Sequence, residues 1–464
     1  MMLLSQAAQV LGGKLIGPDV EFVAVSSDSR TIAAGDLFVA LQGENFDGYK
    51  FAATAMQDGA VACLVNADSY QAHPSVLRPQ SSYLLVEDTR LALGHLAAYW
   101  RAQFAIPIMA VTGSNGKTTV KEMLAAILRE AVGSADAVLA TVGNLNNDIG
   151  MPLTLLKLRA GHRYAVIEMG MNHSGEIDYL TRLARPDVAV INNAGSAHLA
   201  GLGSVEAVAR AKGEILTGLS ENGIAVINAD DAYAPLWRKL AGNHTVIEFG
   251  LERNVAVHAQ WHPQNHGAHI AASTPQGGFN ANLQVPGVHN VRNALAATSA
   301  ALALHVALPV IAAGLEKFSG VAGRLQHKAA MHGAVLIDDS YNANPASLHA
   351  ALKVLAQTSG KKILVLGDMG ELGDDAVRLH GEIAAEARRL GVNKLLALGK
   401  LTAHTVHEFG AGARHFERIE DLLTALDKDL DADSTVLVKG SRFMRMERVV
   451  QHCCTQKGEA CCSH

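Results

Sequence analysis

Ala110-Val111-Thr112-Gly113-Ser114-Asn115-Gly116-Lys117-Thr118-Thr119 decides the fold. An apolar run over residues 106–111 feeds a glycine-containing turn, and Val120, Met123, Leu124, Ile127 and Leu128 then recur at helical spacing. Strand, glycine loop and helix in that order form a phosphate-binding arrangement. Loop N–H groups and the positive end of the helix dipole favour an anion, Lys117 adds a mobile positive charge, and the Thr118 hydroxyl can ligate magnesium. The full pattern G-x-x-x-x-G-K-[ST] would put its first glycine at Val111, so the loop must turn on Gly113 and Gly116. The plainer alternative is a glycine turn with an incidental lysine. Gly116-Lys117-Thr118-Thr119, standing where a strand gives way to a helix, favours a bound polyphosphate.

The 464 residues allow roughly three domains of about 150 residues, each large enough for its own core. Hydrophobic residues make up 49% of the chain and the formal net charge is -5, which argues against a broad electrostatic grip on nucleic acid or an anionic membrane. An anionic ligand must therefore be held locally. The N-terminus lacks the basic start and long apolar core of a secretory signal, so a cytoplasmic location is expected. Residues 294–315 carry no charge over about the length of a membrane span, but the alanines, His305 and Pro309 favour two buried helices joined at Pro309. Cys63 stands alone, whereas Cys453, Cys454, Cys461 and Cys462 crowd the end beside His452 and His464. Adjacent cysteines do not have the usual zinc-ligand spacing, so a frayed, reduced tail is expected there.

Taken in order, residues 1–105 alternate short apolar runs, at 22–25, 37–41, 61–65 and 83–86, with turn-rich stretches. Ser29 and Arg30 lie in one such stretch, and Asn45, Asp47 and Gly48 in another. These groups can hold a sugar-phosphate or simply face solvent. Residues 106–320 alternate strands and helices, the pattern of a mostly parallel sheet, and strand 164–167 delivers Glu168 at its C-terminal end. Ligands collect outside such strand ends, which places Glu168 and the loop around His198 near the phosphates. Lys212 reads as a surface lysine on a helix over 205–219, and Asn290 and Asn293 share a helix face. Residues 321–464 repeat the alternation as a doubly wound sheet. Its strand ends carry Asp338-Asp339-Ser340-Tyr341-Asn342, Gly367-Asp368-Met369-Gly370-Glu371-Leu372-Gly373 and Lys439-Gly440-Ser441-Arg442, polar clusters that folding alone does not require.

Together these motifs give the chain a family resemblance. The Thr-Gly-Ser-Asn-Gly-Lys-Thr-Thr loop, Gly143-Asn144-Leu145-Asn146-Asn147-Asp148-Ile149-Gly150, the Glu168 strand, Ala197-His198, Ala211-Lys212-Gly213-Glu214, His289-Asn290 with Asn293, Asp339 and Lys439-Gly440-Ser441 resemble, in this order, the Mur ligases of peptidoglycan synthesis. The stretches from Asp338 to Pro345 and from Leu366 to Gly373 are most similar to the branch that adds D-alanyl-D-alanine to UDP-N-acetylmuramoyl-tripeptide. The resemblance implies an α/β fold of three domains: a small UDP-sugar-binding domain over 1–105, a central ATP-binding domain over 106–320 and a Rossmann-like domain over 321–464. It implies an ADP-forming ligation through an acyl phosphate, acting on the small-molecule substrates UDP-N-acetylmuramoyl-tripeptide and D-alanyl-D-alanine, by a monomer; with the residue reading above, neither nucleic acid nor a membrane span is expected.

The resemblance also implies roles. Gly113, Ser114, Asn115, Gly116, Lys117, Thr118 and Thr119 cradle the ATP phosphates, with Lys117 on the transferred group. Thr118 and Glu168 hold a first magnesium ion, and His198 helps hold a second, supported by Lys212 as a carbamylated lysine. Asn293 faces the adenine, while Arg324 and Asp339 reach phosphate and ribose. Lys439 and Ser441 receive the incoming amine. Ser29, Arg30, Asn45, Asp47 and Gly48 grip the UDP end, and Asn144, Asn146 and Asn147 line the rest of the acceptor's path. Ala322 stands where the family carries a proline, in the segment 319–323 expected to act as a hinge. A folylpolyglutamate synthetase-like ligase, a P-loop ATPase or kinase, and a non-enzymatic nucleotide-binding protein are the rival readings.

Overall fold

The structure, a computed structural model, describes residues 1–43, 46–76, 80–195, 199–264 and 267–454. Its sequence of strands and helices builds three main sheets. The first orders Lys14–Ile16, Ser82–Val86, Ala62–Asn66, Asp36–Val39 and Ala24–Ser26, with Lys14–Ile16 antiparallel and the rest parallel. The apolar run at 22–25 is not one strand. Glu21–Phe22 pairs with Met2–Leu3 while Ala24–Ser26 joins the main sheet, and Val23 between them is exposed.

The central sheet runs Val138–Ala140, Tyr164–Glu168, Ile108–Thr112, Val188–Ile191, Ile224–Asn228, Thr245–Gly250, Val257–Gln264, Gly267–Thr274, Gly277–Leu283. All pairs are parallel up to Val257–Gln264, and the last two are antiparallel. That closing meander departs from the strand–helix alternation expected throughout. Its polar, alternating strands turn tightly at 275–276, where a parallel return would need a long crossover. Ile108–Thr112 sits between its two functional neighbours, with Val111 opposite Glu168 and Thr112 opposite Ile191. The phosphate-loop exit, Glu168 and Asn192 therefore emerge side by side.

The third sheet orders Gln326–Ala329, Val335–Asp339, Ser434–Lys439, Lys361–Gly367, Lys394–Leu398 and Ala413–Phe416, parallel apart from its first strand. Asp339 lies opposite Lys439 in register. A tight turn precedes this sheet: Arg324 N donates to Val321 O at 3.0 Å, and Gly323 takes a left-handed φ of 70°. It forms without a proline at Ala322, because glycine supplies the positive φ.

Three details correct the sequence reading. The apolar stretch 294–315 is indeed two helices, but only Val288–Ala303 is largely buried, Leu308–Lys317 burying one face through Ile311, Gly314 and Leu315, and the break is at 304–307. Pro309 sits in the first turn of the second helix, where its missing N–H costs nothing. The helix expected over 205–219 is Val205–Gly213 continued as a 3-10 segment, Glu214–Gly218. Cys453 is not in a frayed tail: it ends the helix Glu447–Cys454, packs in an apolar cluster with Met446 and Val450, and burial pushes its thiol up to about 12. Among the described residues no helix is long and apolar enough to cross a membrane.

Candidate active site

The loop after Ile108–Thr112 is shaped from below by the next strand. Ser114 N donates to Asn193 O (2.9 Å) and Asn115 N to Asn193 Oδ1 (2.8 Å). Asn192 Nδ2 and Asn193 Nδ2 donate to Asn115 O at 2.9 and 3.0 Å. Asn192 Nδ2 also donates to Asn293 Oδ1 at 2.9 Å, and Asn293 in turn donates to Asn290 Oδ1 at 3.1 Å. Gly116 is required twice over. Its φ is 79°, and a Cβ there would lie 2.3 Å from Asn293 Oδ1. The helix Lys117–Val132 then starts with no side-chain cap, which leaves its first-turn N–H groups for an anion.

Lys117 Nζ donates to Gly113 O at 2.8 Å. Burial lowers its pKa, the Arg324 charge adds to that, and Glu168 and Glu371 oppose it. Glu168, 1% exposed, is the hub of the next network. Thr118 Oγ1 donates to Glu168 Oε2 (2.8 Å) and Asn146 Nδ2 to Glu168 Oε1 (2.8 Å). Asn146 Nδ2 also donates to Asn144 Oδ1 at 3.0 Å, while Asn147 Oδ1 accepts from Gly150 N at 2.8 Å.

The third unit reaches this network directly. Arg324 Nη2 donates to Thr118 Oγ1 at 2.9 Å, and its guanidinium lies 4.5 Å from the Tyr341 ring centroid. Asn344 Nδ2 donates to Asn115 Oδ1 at 2.9 Å, while Asn344 Oδ1 caps the helix Pro345–Ala356 through Ser347 N. The two units are thus closed on each other. Lys439 Nζ pairs with Asp339 Oδ2 and donates to Asn342 O at 2.9 Å. Burial raises the Asp339 pKa and the Lys439 charge opposes it. Ser441 Oγ accepts from Gly370 N at 2.7 Å and donates to Ala343 O at 3.2 Å.

Between the units lies a cleft of about 1650 Å³. Ser114, Asn115, Gly116, Lys117, Thr118, Thr119, Asn144, Asn146, Asn147, Glu168, Asn293, Arg324, Asp339, Lys439 and Ser441 all line it, with Gly113 just behind. Other expected residues are not brought there. Arg30 is exposed and pairs with Asp28 at 2.6 Å next to Ser29, Asp47 Oδ1 accepts from Tyr49 N at 3.1 Å, and Gly48 fits against the Leu41 backbone; none of them lines the cleft. Asn45 and His198 lie outside the described residues.

Lys212 is a correction: it is 1% exposed rather than on the surface. Its helix, Val205–Gly213, turns it inward, and burial together with the Lys117 charge pushes its pKa well down. Among the described residues no group of three His, Cys, Asp or Glu could hold a metal ion. The residues that sequence reasoning left without a role are Asn192, Asn193 and Asn344. A double asparagine at the end of a buried strand was the available signal for the first two.

Comparison with known proteins bears on the same regions. Family models described as the Mur ligase family catalytic domain, the Mur ligase middle domain and the Mur ligase glutamate ligase domain match residues 21–101, 111–301 and 323–442. The chain is 43% identical to the UDP-N-acetylmuramoyl-tripeptide--D-alanyl-D-alanine ligase of Escherichia coli, over 97% of each chain. It is 35% identical to the protein of that name from Bacillus subtilis, over 96% of each. Among solved structures, MurF from Acinetobacter baumannii superposes with a TM-score of 0.87 at 37% identity, covering 96% of this chain and 97% of that one. MurF from Thermotoga maritima in complex with ADP gives a TM-score of 0.80 at 27% identity over 92% and 96%.

Proposed function

We propose a function from one premise: the chain belongs to the Mur ligase family. It is an ATP-dependent, ADP-forming ligase that joins D-alanyl-D-alanine to UDP-N-acetylmuramoyl-tripeptide, supplying the pentapeptide precursor of peptidoglycan in the cytoplasm. The observation that carries this reading is the chain of contacts from Arg324 through Thr118 to Glu168, because it brings two units together at the phosphate loop. The tripeptide carboxylate attacks the γ-phosphorus of ATP to give an acyl phosphate and ADP. The dipeptide amine then attacks the acyl carbon and phosphate leaves.

Both steps gather anionic oxygens, so positioning and electrostatic stabilisation supply most of the rate. The Gly113–Thr119 backbone and the helix N-terminus hold the phosphates, Lys117 follows the transferred group, and Arg324 answers its charge from the third unit. Asn293 meets the adenine and Asp339 the ribose. Thr118 Oγ1 and Glu168 Oε2, hard oxygen donors 2.8 Å apart in a buried setting, suit a magnesium ion. When bound, that ion supplies positive charge to the phosphate oxygens. A second ion is assigned to His198 with Lys212. Burial favours the neutral form of the Lys212 amine, the form that adds carbon dioxide with loss of one proton, and the resulting carbamate would answer the Lys117 charge.

Lys439, oriented by Asp339 and Asn342, and Ser441 receive the amine substrate, and Asn144, Asn146 and Asn147 line the acceptor's path. The first unit, 1–105, grips the UDP end through Ser29, Arg30, Asn45, Asp47 and Gly48; the second, 106–320, and the third, 321–464, share the ATP. The enzyme acts as a monomer that opens about 319–323 between turnovers. ADP release, measured with ATP, UDP-N-acetylmuramoyl-tripeptide and D-alanyl-D-alanine and with each omitted in turn, tests the reading. Release that requires all three supports it, and release that persists without either acceptor sinks it.

A further inference from the structure

Behind the cleft, His380 is fully buried on the helix Ala376–Arg389 and is used by none of the chemistry above. Its two nitrogens face partners of opposite kind. Met369 N lies 3.0 Å from Nε2, and Ala376 O lies 2.7 Å from Nδ1. An amide N–H can only donate and a carbonyl can only accept, so Nδ1 carries the proton and Nε2 presents its lone pair. Burial lowers the imidazole's pKa against the Ala376 hydrogen bond and the pull of Asp368, with His404 adding to the lowering, in keeping with the neutral ring that the two partners require.

Met369 lies in the middle of a loop that serves the cleft. On one side of it Asp368 O accepts from Ser441 N at 3.0 Å, and on the other Gly370 N donates to Ser441 Oγ at 2.7 Å. Asp368 is itself held by Lys400 N and Thr402 N at 2.9 and 2.8 Å. The next residue, Glu371, lines the cleft with a left-handed φ of 62°, a conformation that a non-glycine residue adopts only where its surroundings impose it. The peptide between Asp368 and Met369 is thus held at both ends, its carbonyl by Ser441 N and its N–H by His380, and without the imidazole the buried N–H would be left unpaired with only the Ser441 bond to fix the plane. A tilt of that plane would disturb both bonds the loop makes to Ser441, the one from its N to Asp368 O directly and the one from Gly370 N to its Oγ through the adjoining peptide.

We infer that His380 is a positioning residue for the amine substrate: its Nε2 fixes the Met369 amide and thereby the Ser441 hydroxyl and the Glu371 loop at the cleft wall. The inference rests on the reading that Lys439 and Ser441 receive that substrate. It singles out one substrate of the three, since the loop borders the Ser441 end.

The test compares His380→Leu, which removes the acceptor, with His380→Gln, whose amide oxygen can stand near the Nε2 position. Steady-state KM is measured for each substrate in turn, with thermal midpoints recorded alongside. An orphaned buried N–H predicts a KM for D-alanyl-D-alanine raised about tenfold or more in His380→Leu, the other two KM values within about twofold, and most of the loss recovered in His380→Gln. All three KM values rising together, none rising, or His380→Gln as impaired as His380→Leu overturns the inference. Where His380→Leu does not fold, His380→Asn, too short to reach the Met369 N–H, takes its place. Parent enzyme without D-alanyl-D-alanine-dependent ADP release would instead overturn the ligase reading. A ligating parent with an unmoved His380→Leu overturns only the role of His380.

Discussion

The helix Thr89–Arg101 of the first unit and the Arg324 turn of the third both lean on the central sheet, the one through apolar surface and the other through polar atoms. Leu93, Leu96 and Ala97 share a single buried cluster with Leu155, Leu158 and Leu183 of the central unit. Trp100 Nε1 donating to Leu158 O at 3.1 Å and Arg101 Nε to Ala184 O at 2.6 Å close its rim. Among the described residues, the third unit's buried clusters contain none before Leu325. It meets the phosphate loop through Arg324 to Thr118 and Asn344 to Asn115. Separating apolar surface exposes it to water at about 25 cal/mol per Å², whereas exchanging a hydrogen bond for water costs about 0.5–1.5 kcal/mol, or about 1.5–3 kcal/mol where one partner is charged. The first unit thus shares an apolar core with the central one, whereas the third meets the phosphate loop through polar contacts, the arrangement that the proposed opening about 319–323 requires.

The contrast breaks most visibly at Arg324. On the proposed reading Arg324→Ala removes a charge that answers the ATP phosphates, and it is expected to lower kcat about 10²–10³-fold. The thermal midpoint should barely move, because no core is lost; a large fall in it would mean the third unit is as firmly attached as the first. Leu96→Ala, at a fully buried position on the shared face, reverses the pattern. It should cost about 2–5 kcal/mol in denaturant unfolding, with the first and central units melting together.

A pH titration sharpens the comparison at the cleft. Burial, with Lys439 and Arg292, pushes the His289 pKa down to about 4, against 6.5 in the unfolded chain. Below 6.5 the unfolded state binds the additional proton, so stability falls as the pH drops from about 6.5 towards 4, by on the order of 2–3 kcal/mol. His289→Gln should flatten that limb of the curve. The smallest effect belongs to Asn344, which both caps a helix and reaches Asn115. Asn344→Ala should lose about 1 kcal/mol of stability, whereas Asn344→Ser, which keeps a cap, should stay within a few tenths and still weaken ATP binding several-fold. Equal ATP affinity in Asn344→Ser and parent would show that the Asn344–Asn115 contact plays no part in holding nucleotide.

Local chemistry was the most legible in the sequence. Gly116-Lys117-Thr118-Thr119 announces itself because strand, turn and helix follow one another, and Glu168 because it ends a buried strand; the structure sets both on one cleft. Strand order was not legible: nothing in the sequence says that Val188–Ile191 lies beside Ile108–Thr112, and so the support that Asn192 and Asn193 give the loop went unread. Lys212 misled because a lysine on a helix is usually solvated, and only packing shows which face is buried. His380 carries no motif signal at all, since its role depends on a backbone N–H eleven residues away.

The central claim, that phosphoryl transfer to the acceptor precedes amide formation, has a direct isotopic test. The acceptor tripeptide is labelled with oxygen-18 in both oxygens of its terminal carboxylate, and the phosphate released on ligation is analysed by mass. An acyl phosphate formed by carboxylate attack passes one labelled oxygen to each phosphate and keeps the other in the new amide. Unlabelled phosphate accompanying full amide formation would contradict the account.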